Sequence, residues 1–113
     1  MKIPRLAASV VSLLLLPLAG HAGNCKLDIH PVTSGFFLNP TLDKLTVRSM
    51  KSTKAGFDCK LQQGDEILQI NAQPVPGHKA KDVQAYWRAL KPDQPVTFKV
   101  LRQGRPMTLV LAD

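Results

Sequence analysis

Apolar residues recur every second position along several short stretches of this chain, and every third or fourth position along one. That contrast separates strands from a helix. Leu45-Thr46-Val47-Arg48-Ser49-Met50 alternates, with Leu45, Val47 and Ser49 on one face and Thr46, Arg48 and Met50 on the other. Val96 to Val100 alternates strictly, Val96, Phe98 and Val100 inward, Thr97 and Lys99 outward. Met107 to Leu111 follows, and Gln103-Gly104 between the two marks a hairpin. Glu66 to Asn71 predicts a further strand with Ile67, Leu68 and Ile70 in the core. Lys26 to His30 alternates weakly and predicts a first strand ended by Pro31. Gly35-Phe36-Phe37-Leu38 is an apolar run closed by the turn pair Asn39-Pro40. Lys51 to Lys60 is polar and reads as a connection with room for one helical turn.

Between Ala80 and Leu90 the apolar positions Ala80, Val83, Trp87 and Leu90 fall on one helical face. Asp82 in the first turn and Arg88 in the last complement the helix dipole, and Pro92 stops the helix. The predicted class is therefore α+β: a small, mostly antiparallel sheet, sandwich or partial barrel, with one main helix.

The first 22 residues read differently, as an export leader to be removed. Lys2 and Arg5 precede an uncharged stretch, Leu6 to Leu18, and Gly20 and Ala22 place small residues before a cut after Ala22. A membrane span needs about 20 apolar residues, more than this stretch supplies, so an uncleaved anchor is the weaker reading. Asn24 before Cys25 does not resemble a lipid-attachment box. The chain divides into a leader (1–22), an N-terminal arm or first strand (23–34) and one domain (35–113), with the product periplasmic or secreted and not inserted in a membrane.

Loss of Lys2 and Arg5 lowers the formal charge from +7 to +5. The remaining basic residues are scattered without interleaved aromatics, which argues against a nucleic-acid surface and leaves a mild preference for acidic or anionic partners. Cys25 and Cys59 are an even pair in an oxidising compartment and predict one disulfide, worth about 3–4 kcal/mol by chain entropy. There is no Cys-x-x-Cys and no Cys/His spacing suited to zinc, so no metal or cofactor is expected.

The run Leu61-Gln62-Gln63-Gly64-Asp65-Glu66-Ile67-Leu68-Gln69-Ile70-Asn71, followed by Gln73-Pro74-Val75, resembles the most characteristic stretch of PDZ domains. The family pattern there is Leu-x-x-Gly-Asp-x-Ile-Leu-x-Ile-Asn-Gly-x-x-Val; Ala72 departs from it after the asparagine. Gly64 can take a left-handed turn, and Asp65 can hydrogen-bond that turn's backbone. Asp82-Val83 with Trp87 and Leu90, and then Val100-Leu101-Arg102-Gln103-Gly104-Arg105, resemble bacterial members. The resemblance spans about residues 45 to 112.

It implies a groove in which a peptide or protein C-terminus adds as a strand between the second strand and the helix. The family's carboxylate-holding loop resembles Ser34-Gly35-Phe36-Phe37 here, with Leu38 following and Val83 and Tyr86 as the opposite wall. Two phenylalanines beside a turn glycine equally fit plain core packing. An enzyme is not expected: there is no Gly-x-Ser-x-Gly elbow, His30 and His78 sit beside prolines or glycine, and Asp65 and Glu66 point to opposite faces of a strand. The leading expectation is an exported peptide-binding module. The alternative is an assembly protein of an envelope complex whose groove is closed, and a third reading is an anionic-surface binder with strong salt dependence.

Overall fold

The computed structural model describes residues 18–22, 24–91 and 94–112. The rest of the expected leader, Gly23 and the helix-stopping Pro92 lie outside them. The elements are β1 (Leu18–Ala22), β2 (Cys25–Ser34), β3 (Thr41–Ser52), β4 (Glu66–Ile70), β5 (Gln73–Pro74), α1 (Ala80–Ala89), β6 (Val96–Arg102) and β7 (Arg105–Leu111). The strands form one antiparallel sheet in the order β1-β2-β3-β4-β6-β7, with β5 paired to β4. This is the expected small antiparallel α+β domain with a single main helix among the described residues.

Alternation builds the core where it persists. Val96, Phe98 and Val100 of β6 are fully buried, as are Leu45 and Ile67, and α1 closes over them with Ala80, Val83 and Trp87. Trp87 and Phe98 meet with ring centroids 6.2 Å apart. At the β6–β7 turn, Gln103 and Gly104 have φ of +53° and +80°. Two positive values are what a tight two-residue hairpin between twisted strands requires.

Four expectations are corrected, each for a backbone reason. β2 does not end at Pro31 but runs through it to Ser34, with Pro31 opposite Leu45. Among the described residues, the outer side of β2 has no strand partner beyond Ile29, and a sheet edge is where a residue without an N–H can sit. In β3, Ser49 is exposed and Met50 packs against the core. The register steps from Asp28↔Ser49 to Ile29↔Val47, so Arg48 is an extra residue and the faces exchange. In β4, Leu68 is only half-buried while Ile67 and Ile70 are wholly buried. Here too the register skips a residue, from Ile67↔Val100 to Gln69↔Lys99. Finally, Phe36 and Phe37 are not core: they sit in the β2–β3 turn, 61 % and 59 % exposed.

Candidate functional site

The Gly64-Asp65 block forms a locked turn. Gly64 has φ +94°, a region that side-chain-bearing residues avoid. The Gln62 N–H donates to Asp65 Oδ2 at 2.8 Å, and the Gly64 N–H donates to the Val47 carbonyl at 2.8 Å. Asp65 is 1 % exposed and is the only buried charged residue among those described. Arg102 from β6 meets it with a two-pronged contact, Nε to Oδ1 at 2.9 Å and a terminal nitrogen to Oδ2 at 2.8 Å. That same nitrogen donates to the Lys60 carbonyl at 2.9 Å.

Burial pushes the Asp65 carboxyl up, but the Arg102 and Gln62 hydrogen bonds and the Arg102 charge outweigh it and hold it below its usual range. Arg102 was not singled out from the sequence. The available signal was a lone core acid in need of a fixed cation, and Arg is the side chain with the matching fork.

The residues expected to bind peptide fall in two places. Ser34 ends β2 and donates from Oγ to Asp43 Oδ1 at 2.9 Å. Gly35 has φ +84° and opens the turn, which is closed by the Asn39 N–H to the Phe36 carbonyl at 2.9 Å. Phe36 and Phe37 meet with tilted rings, centroids 5.4 Å apart, and Leu38 is 53 % exposed, so the tip presents three consecutive apolar side chains. On α1, Val83 has no exposed surface, whereas Tyr86 is half-buried. The tip and the helix are tied together: the Ala80 N–H donates to the Pro40 carbonyl at 2.9 Å, and Lys79 Nζ reaches Thr41 Oγ1 at 3.3 Å. The tip therefore stands at the N-terminal end of α1, beside the far end of β2.

The near end of β2 has a different character. Cys25 is bonded to Cys59 (Cα–Cα 5.7 Å), which staples the start of the strand to the segment before the Gly64 turn. Cys25, Leu27 and Ile29 are buried. On the inner side β2 pairs with β3. On its outer side it accepts β1 as an antiparallel strand, with Leu18↔Ile29, Ala19↔Asp28, Gly20↔Leu27, His21↔Lys26 and Ala22↔Cys25. Lys26 stands directly opposite Lys51, both exposed, and like charges so placed raise the local positive potential. A cavity of about 360 Å³ borders them, lined also by Leu27, Asp28, Ser49 and Met50. Sequence reasoning left this edge unassigned, although the alternation of Cys25, Leu27 and Ile29 carried its inner face.

An edge of this kind can bind chemically in one way: its N–H and C=O groups pair with an extended chain, as they do with β1 between Cys25 and Ile29. No helix among the described residues is long and apolar enough to cross a membrane. No curated protein and no solved structure matches the chain significantly. A family model described as the PDZ domain matches residues 28–112, from Asp28 within β2 through β7 and including the Gly64 turn, the β2–β3 tip and α1. With that match over most of its length, this chain belongs to the PDZ domain family.

Proposed function

We propose that this PDZ domain, a protein-interaction module, takes up an extended peptide or protein C-terminus as an added strand on the outer edge of β2, outside the cytoplasm. The observation that carries this reading is the five-residue antiparallel ladder that Leu18–Ala22 already forms there. A strand in that register ends beside Cys25, next to Lys26 and Lys51, where the positive potential favours a terminal carboxylate. Its N-terminal side points toward Ser34, Phe36, Phe37 and Leu38 at the hairpin tip and toward the start of α1. Carboxylate capture is thereby assigned to the Cys25 end of β2, and the Ser34–Leu38 turn to contacts further along the ligand. The leader pattern of residues 1–22 supports a periplasmic or secreted location, and no catalytic step is assigned to the domain.

The test is an NMR titration of the exported, oxidised protein with pooled C-terminal peptides, free and amidated. Shifts along residues 25–34 that weaken on amidation support the reading. Peptides that leave residues 25–34 unmoved overturn it.

The exposed Phe36-Phe37-Leu38 tip favours a second reading, in which the domain docks on a folded envelope partner. An apolar surface tip of this kind marks an interaction site more often than it serves stability. Cross-linking from Phe37 in cells that traps a specific protein supports it, and an uncross-linked monomer counts against it.

A further inference from the structure

Resting on the strand-addition reading above, we infer that Leu18–Ala22 is a built-in occupant of the β2 edge, and that cutting the chain after Ala22 opens the edge to other ligands. Two observations meet at Ala22, and a third concerns the strand it pairs with. The ladder on β2 ends at Ala22↔Cys25. The small-residue pattern Gly20-His21-Ala22 places the expected cut immediately after that same position. And β2 is held from the other side by β3 and by the Cys25–Cys59 bond, so removal of β1 leaves the acceptor strand in place.

While attached, the segment has the advantage of proximity. A strand tethered by a two-residue turn competes at an effective concentration in the millimolar range, which disadvantages a free peptide by roughly 10²–10⁴-fold. Once cut, Leu18–Ala22 becomes an ordinary peptide with a carboxylate on Ala22, which its register leaves beside Lys26. The first ligand for the opened edge is therefore a C-terminus without acidic residues and with small residues at its last and third-last positions, Leu-Ala-Gly-His-Ala with a free carboxylate.

The experiment compares the whole chain, made without export so that residues 18–22 stay attached and then oxidised to form the Cys25–Cys59 bond, with the exported form. Amide hydrogen exchange of Cys25, Leu27 and Ile29, the β2 residues whose N–H groups face β1, is read first, without ligand. Slow exchange in the whole chain and faster exchange in the exported form is expected; equal exchange overturns the inference whatever any peptide does. Next, a synthetic peptide of residues 15–22 is titrated into both forms. Binding to the exported form and at least about 100-fold weaker binding to the whole chain is expected. Equal affinity for both forms, or no binding of this peptide to the exported form, overturns the inference. A whole-chain variant, Gly20→Pro, removes the N–H that faces Leu27 in the middle of the β1–β2 ladder and is expected to speed exchange at Cys25, Leu27 and Ile29 without any cut. If the pooled C-terminal peptides shift residues 25–34 in the exported form while exchange is equal in both forms, strand addition stands and only the built-in occupant falls.

Discussion

Replacing Arg102 with methionine isolates the contact that holds the Gly64 turn to β6. The substitution keeps most of the stem and deletes two charge-assisted hydrogen bonds to Asp65 and one bond to the Lys60 carbonyl. Asp65 is 1 % exposed and the Arg102 side chain 20 % exposed, so the carboxylate is stranded while the space left by the guanidinium admits some water. Removing one partner of a fully buried pair costs about 3–5 kcal/mol. Water at the Arg102 end lowers the expectation to roughly 2–4 kcal/mol, near the strength of hydrogen bonds to a charged group. In a domain of this size that lowers the melting temperature by more than about 10 °C.

The pH dependence is the sharper readout. In the native protein the Asp65 pKa is depressed. Its contribution is therefore present above the unfolded carboxylate range, about 3.9, and is lost as pH falls through the lower folded value. In Arg102→Met, burial acts with only the Gln62 N–H against it, the folded pKa rises, and the variant's deficit shrinks as pH falls toward 4. Urea unfolding at pH 7, 5.5 and 4 measures both. A loss under about 1 kcal/mol at pH 7, or a deficit independent of pH, would falsify the assignment of this pair as a buried clamp. The double variant Asp65→Asn/Arg102→Met should recover part of the loss, because it leaves no buried charge unpaired.

Loss of the disulfide in Cys25→Ala/Cys59→Ala should cost about 3–4 kcal/mol, read as a drop in urea midpoint matched by reduction of the native protein. Gly64→Ala should cost about 1–2 kcal/mol from backbone strain alone, since φ is +94° and nothing lies within 4 Å of a Cβ there; a neutral melt refutes it. Phe36→Ser and Phe37→Ser, at 61 % and 59 % exposed, should each change stability by less than about 0.5 kcal/mol, so any loss of binding in these variants reports on contact with a partner. Trp87→Ala, in contrast, empties a site packed on Phe98 and should cost about 3–5 kcal/mol by thermal denaturation.

Periodicity alone placed the helix over Ala80 to Leu90, the two strands flanking Gln103-Gly104, and the strand after Gly64, because each requires only its own residues to choose a backbone. The Gly64 turn was likewise readable, since its left-handed glycine and its aspartate cap lie side by side in the chain. The inner faces of β3 and β4 were not. Arg48 and Leu68 are extra residues only relative to a partner strand, and no single strand records its neighbour's register. Arg102 escaped notice for a similar reason: it lies 37 residues from Asp65, and only the β4–β6 pairing sets the two together.

The candidate site divides in the same way. The residues themselves determined that a PDZ-type turn exists, that an apolar Phe36-Phe37-Leu38 run follows a glycine, and that a leader pattern ends at Ala22. Whether that apolar run would be core or surface was decided by the fold, because a hairpin tip has no layer to cover it. Which strand edge stays open, and which segment lies on it, was also decided there. A sheet edge is a property of strand order, and strand order emerges only when distant segments compete for the same hydrogen-bonding groups.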